Sequence, residues 1–397
     1  MRLPGTTLTP KENLRRVLRH GKPEWTPVCG HCDPYNQPNK RGMHPDLAAQ
    51  LADVKWRDES TVAFSRWLGL DITDWYGAPI RSRQRKVVVE SVKTGNEQAT
   101  TWRTPKGELR QVQRYSPDTR MWYTAEHMVK GVDDLPAFTC MYADLEYCVE
   151  EDGPARVQKR RELIGEDGFM MFSMSGTPLG QMVRSHAGAE TLAYLWADGR
   201  DRLHDLFAVM EEQHRRYLDL ALPLKPDVVV TVDDTSTTTI SPAMFEEFCL
   251  GYTDRMADAT HAGGAFYFHH SCGLIRDLLP LYRQTRMDAV HAFTTPPIGN
   301  VTIAEGRAAL GPKITIFGSL AQMSQSMTDR AAVARSIADM FREAAPGDHF
   351  ILGLAADPER TMEETEFVRD ECRKHQRIAP ALRPTRAAPR RKQGAPC

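Results

Sequence analysis

Residues 227–268 read DVVVTVDDTSTTTISPAMFEEFCLGYTDRMADATHAGGAFYF, an apolar, β-branched burst from Asp227 to Val232, a helical stretch from Pro242 to His261 and a second burst from Gly264 to Phe268. Strand, helix and strand in that order make a parallel βαβ unit with a right-handed crossover. The alternation continues on both sides, with bursts at Phe169 to Met174, Asp288 to His291, Lys313 to Phe317 and His349 to Leu352. Helical segments at Ala189 to Ala221, Leu274 to Tyr282, Ala331 to Ala344 and Met362 to Arg377 separate or follow them. Trp25 to Cys29 and Leu70 to Thr73 add two earlier strands, which brings the count to eight. Eight βα units close an α/β (β/α)8 TIM barrel, whose site lies at the C-terminal ends of its strands. The competing open, doubly wound sheet would carry a Gly-rich G-x-G-x-x-G loop after the first strand, and none is present there.

Thr9-Pro10-Lys11-Glu12 reads as a helix start with a capping box and a proline in the first turn. Asp46 to Leu70 reads as helical. Residues 84–115 differ: strand-like pieces around Val88, Thr101 and Val112 alternate with the turn-rich KTGNEQ and TPKGE, which predicts a β-meander inserted over one end of the barrel. The expected organisation is a barrel over residues 1–379, with 84–115 inserted, and a disordered tail over 380–397, PALRPTRAAPRRKQGAPC.

A chain of 397 residues with 41% hydrophobic and 26% charged residues is an ordinary globular composition, which excludes collagen-like and disulfide-dense scaffolds. The net charge of −1 gives no long-range attraction to nucleic acid or anionic lipid. That balance is uneven, because Arg383, Arg386, Arg390, Arg391 and Lys392 give the tail +5 and leave −6 on the remainder. The first twenty residues hold no apolar stretch of the kind a signal peptide needs, and no run reaches the length of a membrane span, so a cytosolic protein is expected, with neither nucleic acid nor membrane as partner. In that compartment the eight scattered cysteines are thiols or metal ligands and not bridges.

Candidate site residues follow from the strand ends. The fifth strand closes in Phe266-Tyr-Phe-His-His-Ser-Cys-Gly273, where side-chain alternation aims His270 and Cys272 one way and His269 another. An imidazole and a thiolate converging at a barrel mouth suit zinc. The alternative is a buried cysteine beside a strand-end histidine. Asp233 and Asp234 end the fourth strand and are candidate catalytic carboxylates or helix caps. The sixth strand supplies His291 as a further catalytic candidate, and Gly318 after the seventh leaves room for a ligand near the backbone; plain rim structure is the alternative for both. At the first strand, Cys29-Gly-His-Cys32 is a C-x-x-C without the second pair that structural zinc normally needs, but barrel closure makes this strand the neighbour of the eighth.

The chain resembles the uroporphyrinogen decarboxylase superfamily, and within it the zinc-dependent, corrinoid-linked methyltransferase branch more than the true decarboxylases. The resemblance runs from about Thr9 to Arg377. It is carried by Trp25-Thr-Pro-Val, Leu68-Gly-Leu-Asp71, Gly176-Thr-Pro-Leu, Val232-Asp-Asp with Ile240-Ser-Pro-Ala-Met-Phe-Glu-Glu-Phe, His270-Ser-Cys-Gly and Lys313-Ile-Thr-Ile-Phe-Gly. True decarboxylases hold their acidic substrate with an Arg-Gln-Ala-Gly-Arg segment after the first strand, where this chain has Cys29-Gly-His-Cys-Asp-Pro-Tyr. Without those arginines a polycarboxylated porphyrinogen lacks its charge partner. Thiol-methylating members supply a second zinc cysteine after the eighth strand, where this chain has Ala355 and Ala356. The resemblance therefore implies zinc on His270 and Cys272, with a third ligand expected from Cys32, His31 or Cys29 across the seam, or from Asp233, Asp234 or Asp357.

The function so implied is methyl transfer between a small methyl donor or acceptor and a corrinoid (cobalamin) carried by a partner protein. With a single thiolate the zinc is a stronger Lewis acid, which favours demethylation of an ether or amine-type donor; a second cysteine from the first strand would remove that preference. The rivals are a uroporphyrinogen decarboxylase-type lyase and a metal-free barrel acting as a binding protein. The superfamily resemblance also implies a homodimer. The meander would shape the donor pocket, dock the corrinoid carrier or serve as a structural lid.

Overall fold

The computed structural model describes residues 5–30, 57–118, 121–233, 235–320, 329–354 and 362–376. Its strands in chain order are β1 (Val28–Gly30), β2 (Ile72–Tyr76), β3 (Ile80–Arg83), β4 (Val88–Thr94), β5 (Glu97–Thr104), β6 (Gly107–Ser116), β7 (Met121–Glu126), β8 (Glu146–Val149), β9 (Gly168–Ser175), β10 (Val228–Val232), β11 (Phe266–His270), β12 (Ala289–Thr294), β13 (Thr315–Leu320) and β14 (Phe350–Leu354). Eight of them form one all-parallel sheet in the order β1-β14-β13-β12-β11-β10-β9-β2. A parallel bridge between Cys29 and Asp71 joins β1 to β2 and closes the sheet on itself. The expected TIM barrel is therefore present, its strands separated by helices that cover the outside.

Alternation sorts each strand's side chains between two cores. Phe169, Met171, Val228, Val230, Phe268, Ala289, Phe317 and Ile351 fill the barrel interior together with Cys29. Residues such as Val229, Tyr267, Val290, Ile316 and Leu352 pack outward against the helices. The first helix (Pro10–Leu18) starts with the expected Thr9/Glu12 capping box and proline in its first turn. Its buried Leu14, Val17 and Leu18 join the interior cluster and plug it, and Lys11 and Arg15 at its start both pair with Asp227, just ahead of β10. Gly168 stands opposite Ile72, where any side chain would run into the Ile72 carbonyl, so β2 and β9 pair only with glycine there.

Several helices are less regular than the sequence pattern suggests. The stretch from 189 to 221 is two helices, Gly188–Asp198 and Arg200–Ala221, broken at Gly199. The segment from Pro242 passes through a π-helical turn (Glu246–Leu250) before the helix Gly251–Ala262. The meander reaches further than 115, because β7 adds a fourth antiparallel strand to β4, β5 and β6. Two short strands, β3 and β8, form a separate antiparallel pair flanking the meander in sequence. Their alternation of Arg81, Ser82, Arg83 and Glu146 offers no apolar signal. Meander and pair both lie between β2 and β9, a connection that leaves the barrel at the C-terminal end of β2. The meander is tied down by Leu109, which packs with Ala137 and Phe138 of the helix Leu135–Ala143. No helix among the described residues is long and apolar enough to cross a membrane.

Candidate active site at the barrel mouth

β11, β12 and β13 run in register so that His270 lies opposite His291, and His291 opposite Phe317. His270 is two residues beyond the interior-facing Phe268 and points to the same side, at the top of the interior stack. The two imidazoles meet through their Nδ1 atoms at 3.0 Å. The Trp75 ring from β2 stands edge-on to both, with centroids 5.2 Å from His291 and 6.3 Å from His270, and Phe317 lies 4.5 Å from His291 on the other side. A β-bulge between His291 and Phe293, with Ala292 at φ +60°, shifts the register of β12 immediately after His291.

Burial, with the nearby positive charge of Arg184, lowers the affinity of His270 for a second proton and moves its pKa down to about 4. His270 is thus neutral near pH 7, and only one of the two facing Nδ1 atoms carries a proton. When His270 donates, its Nε2 holds a lone pair; when His291 donates, His270 carries its proton on Nε2. One proton shift converts the mouth from hydrogen-bond donor to base or metal ligand.

The other candidates sit differently. Asp233 is fully buried at its side chain and points away from the mouth: it accepts from the Thr177 amide at 2.9 Å and hydroxyl at 3.1 Å. A side chain at Gly176 or Gly180 would strike it. It locks the segment after β9 in place, a positioning role and not the catalytic one expected at the mouth. His269 faces the helix layer as alternation requires, with Nε2 3.2 Å from the Thr235 hydroxyl. Gly318 also faces outward, since a side chain there would meet Phe350 and Met340 behind the sheet. The expectation that Gly318 makes room for a ligand is corrected: Gly353 on β14 faces Phe317 and is the glycine that clears the interior side. Cys272 is half-buried on the loop leaving β11.

Cys29 lies in the packed interior, where burial pushes its thiol well up and Thr73 hydrogen-bonds it. His31, Cys32, Asp234, Ala355, Ala356 and Asp357 lie outside the described residues. Among the described residues no three His, Cys, Asp or Glu side chains come together to hold a metal. The described set does not complete a zinc site, although His270, neutral and backed by His291, has the chemistry of a metal ligand.

A cavity of about 520 Å³ opens beside the mouth, between the strand ends (Ser175, Val232), the β3/β8 pair (Ser82, Tyr147) and the segment after β9 (Gln181, Arg184). One wall is a connected polar network. Tyr142 donates to Gln181 Oε1 at 2.9 Å and meets His186 Nε2 at 3.1 Å; Gln181 Nε2 reaches the Gly176 carbonyl and His214 Nε2, and His214 Nδ1 reaches the Tyr252 hydroxyl at 2.8 Å. Because the Gln181 amide nitrogen only donates, His214 must accept on Nε2 and carry its proton on Nδ1. Burial lowers the His214 pKa from 6.5 to about 4.

That shift has a sign for stability. The unfolded chain takes up a proton at His214 as pH falls through 6.5, while the folded protein refuses it until about 4. Stability present above pH 6.5 is therefore lost progressively down to about 4 and no further below, by about 1–3 kcal/mol for this one group. Urea unfolding of parent and His214→Gln between pH 7.5 and 4 checks this: the variant's stability should fall less steeply over that interval, and parallel curves would contradict it.

Sequence reasoning missed Trp75, Arg184 and the wall of Tyr142, Gln181 and His214. Trp75 was within reach, because it lies two residues from Thr73 on a strand whose alternation was readable. Arg184 was not, because it occupies a π-helical turn (Met182–His186) in the stretch between the Gly176-Thr-Pro-Leu segment and the helix expected from Ala189, where the sequence pattern assigns no element.

The family described as Uroporphyrinogen decarboxylase (URO-D) matches residues 160–375. A curated uroporphyrinogen decarboxylase from Myxococcus xanthus (strain DK1622) is 26% identical over 173 residues, which is 43% of this chain and 47% of that relative. The chain thus matches about half the length of that curated relative. Among solved structures, a methyltransferase from Methanosarcina mazei is similar, with TM-score 0.61 and 13% identity, over 93% of this chain and 99% of that one. At that identity the likeness is one of fold.

Proposed function

This chain belongs to the uroporphyrinogen decarboxylase family, and on that premise we propose that it is a methyltransferase that moves a methyl group between a small molecule and a corrinoid carried on a partner protein, in the demethylating direction. The observation that supports this reading is the His270–His291 contact at 3.0 Å under Trp75. A donor that loses its methyl group to reduced cobalt leaves as an anion and needs a proton, and His270 with its proton on Nε2 can deliver one. The reverse reaction needs the same atom as a base for an acceptor's proton. Decarboxylation of a polycarboxylated tetrapyrrole is the weaker reading, because Cys29-Gly-His-Cys-Asp-Pro-Tyr35 carries no arginine where the true decarboxylases have their Arg-Gln-Ala-Gly-Arg segment.

Zinc is the alternative role of the same nitrogen: with the Nδ1 proton donated to His291, His270 Nε2 would hold zinc together with Cys272 and a ligand from His31, Cys32, Asp234 or Asp357, and would then not carry the transferred proton. Bound there it would polarise the methyl donor or acceptor. Elemental analysis of parent, Cys272→Ala and Cys32→Ala proteins tests it: near-stoichiometric zinc lost in either variant supports the assignment, and unchanged content in both removes these two residues from it. The function itself is tested by incubating the protein with cob(I)alamin and a panel of methoxylated, methylamine and methylthiol compounds while following the cobalt spectrum. Methylcobalamin from one class of donor is expected; none with any donor, and no back-transfer to thiols, would overturn the reading.

A further inference from the structure

We propose that the cavity beside the mouth is a carboxylate subsite, in which Arg184 grips the acid group of a small aromatic substrate whose other end reaches His270 and Trp75. The inference deepens the methyl-transfer reading and rests on it only for the chemistry at that far end. Three observations carry it.

First, Arg184 lines the cavity and is exposed, and among the described residues it has no carboxylate partner and no Asp or Glu lines the cavity. Second, the remaining wall cannot compete for the anion or repel it. Tyr142, Gln181 and His214 are committed to one another and uncharged, and Tyr217 donates to the Ser173 carbonyl at 3.3 Å. Tyr147 and Tyr217, with ring centroids 5.8 Å apart, give flat apolar sides, and Ser82 adds a hydroxyl. Third, the cavity adjoins the mouth, because Val232, which lines it together with Arg184, stands in register opposite His270 on β11. The turn that carries Arg184 is pinned from the meander side: Gln111 donates to the Ser185 carbonyl at 2.9 Å, and the Val129 amide donates to the His186 carbonyl at 2.9 Å. With its backbone pinned, Arg184 has only its own side-chain rotamers to order on binding.

The chemistry selects the ligand. One guanidinium fork matches one carboxylate in charge and geometry, whereas a phosphate dianion would call for a second cation. A quaternary or protonated amine would meet Arg184 as a like charge, so the aromatic edges around His270 do not serve as a cation cage here. A volume of about 520 Å³ is in the range that encloses a single-ring acid.

Calorimetric titration of the full chain with 4-methoxybenzoate and its neutral isostere 4-methoxybenzamide tests the subsite without requiring turnover. The acid is expected to bind at least about tenfold more tightly than the amide; Arg184→Gln should weaken the acid by about 10–100-fold and abolish the discrimination, with Arg184→Lys in between because it keeps the charge and loses the fork. Arg184 is exposed, so both variants should retain the parent's circular dichroism. Equal affinity of acid and amide for the parent, unchanged acid binding by Arg184→Gln, or no binding of the acid at millimolar concentration would each overturn the subsite. Acid binding that depends on Arg184 but yields no methyl transfer would support the subsite while telling against the methyl-transfer reading.

Discussion

Replacing His291 with alanine is expected to lower the rate of methyl transfer by about 10²–10⁴-fold, the range typical of losing a positioned acid or base, with substrate affinity changed little. The reason lies in the tautomers. Without the Nδ1 contact at 3.0 Å, nothing at that position selects which nitrogen of His270 carries the proton, and the ring is free to turn away from the substrate. His291→Gln is the informative companion, because an amide can still hold the ring of His270 but cannot pass a proton along. If His291 only positions its neighbour, the glutamine variant should recover most of kcat; if the pair shares a proton in the reaction, it should stay near the alanine level. Alanine and parent rates within threefold of each other would remove the pair from the chemistry altogether. Folding of the variants is checked by thermal unfolding, since His291 is buried and contacts Phe317 and Phe268.

Arg160→Leu is expected to destabilise the protein by about 3–5 kcal/mol, read as a lower midpoint in urea. Arg160, from the helix Gly153–Ile164, makes a two-pronged ion pair with Asp74 on β2, with its Nε 2.7 Å from one carboxylate oxygen and its Nη2 on the other. Both side chains are almost completely buried, 5% and 2% exposed. Removing the arginine leaves a carboxylate in a poorly solvated place, which costs far more than the pair itself contributes over apolar residues of the same size. The double variant Arg160→Leu/Asp74→Leu should therefore recover much of the loss. If Arg160→Leu alone cost less than about 1 kcal/mol, the pair would be behaving as a solvated surface bridge. The consequence reaches the site, because Asp74 precedes Trp75 and the pair holds β2 where that ring meets His270 and His291.

Much of this was readable before any coordinates. The βα alternation from Phe169 onward counts correctly to eight with the two early strands, because each barrel strand is an apolar run bounded by helices. The Thr9/Glu12 box is a purely local signal and appears as read. His270 and His291 were picked out as strand-end residues, but their contact was not, since it depends on the register between β11 and β12. Asp233 shows the limit from the other side: a strand-end acid looks catalytic in one dimension, and only the fold around Gly176 and Gly180 reveals that its oxygens are spent on the Thr177 backbone and hydroxyl. Gly318 fails for the same reason, as alternation along β13 depends on which residue faces inward, and Phe317 takes that side.

The amino-acid order alone determines the barrel, the start of its first helix and the place of the insertion, because those follow from hydrophobic period and capping chemistry that act within a few residues. Tertiary structure alone decides the site. Which imidazole meets which, that Arg184 stands in a cavity without a carboxylate partner among the described residues, and that an insertion between the second and third barrel strands holds the arginine's turn in place all depend on residues of different elements meeting in space, 21 positions apart for His270 and His291 and 74 for Gln111 and Ser185. No short-range preference encodes such a meeting; it follows from closing the sheet and packing what lies across its mouth.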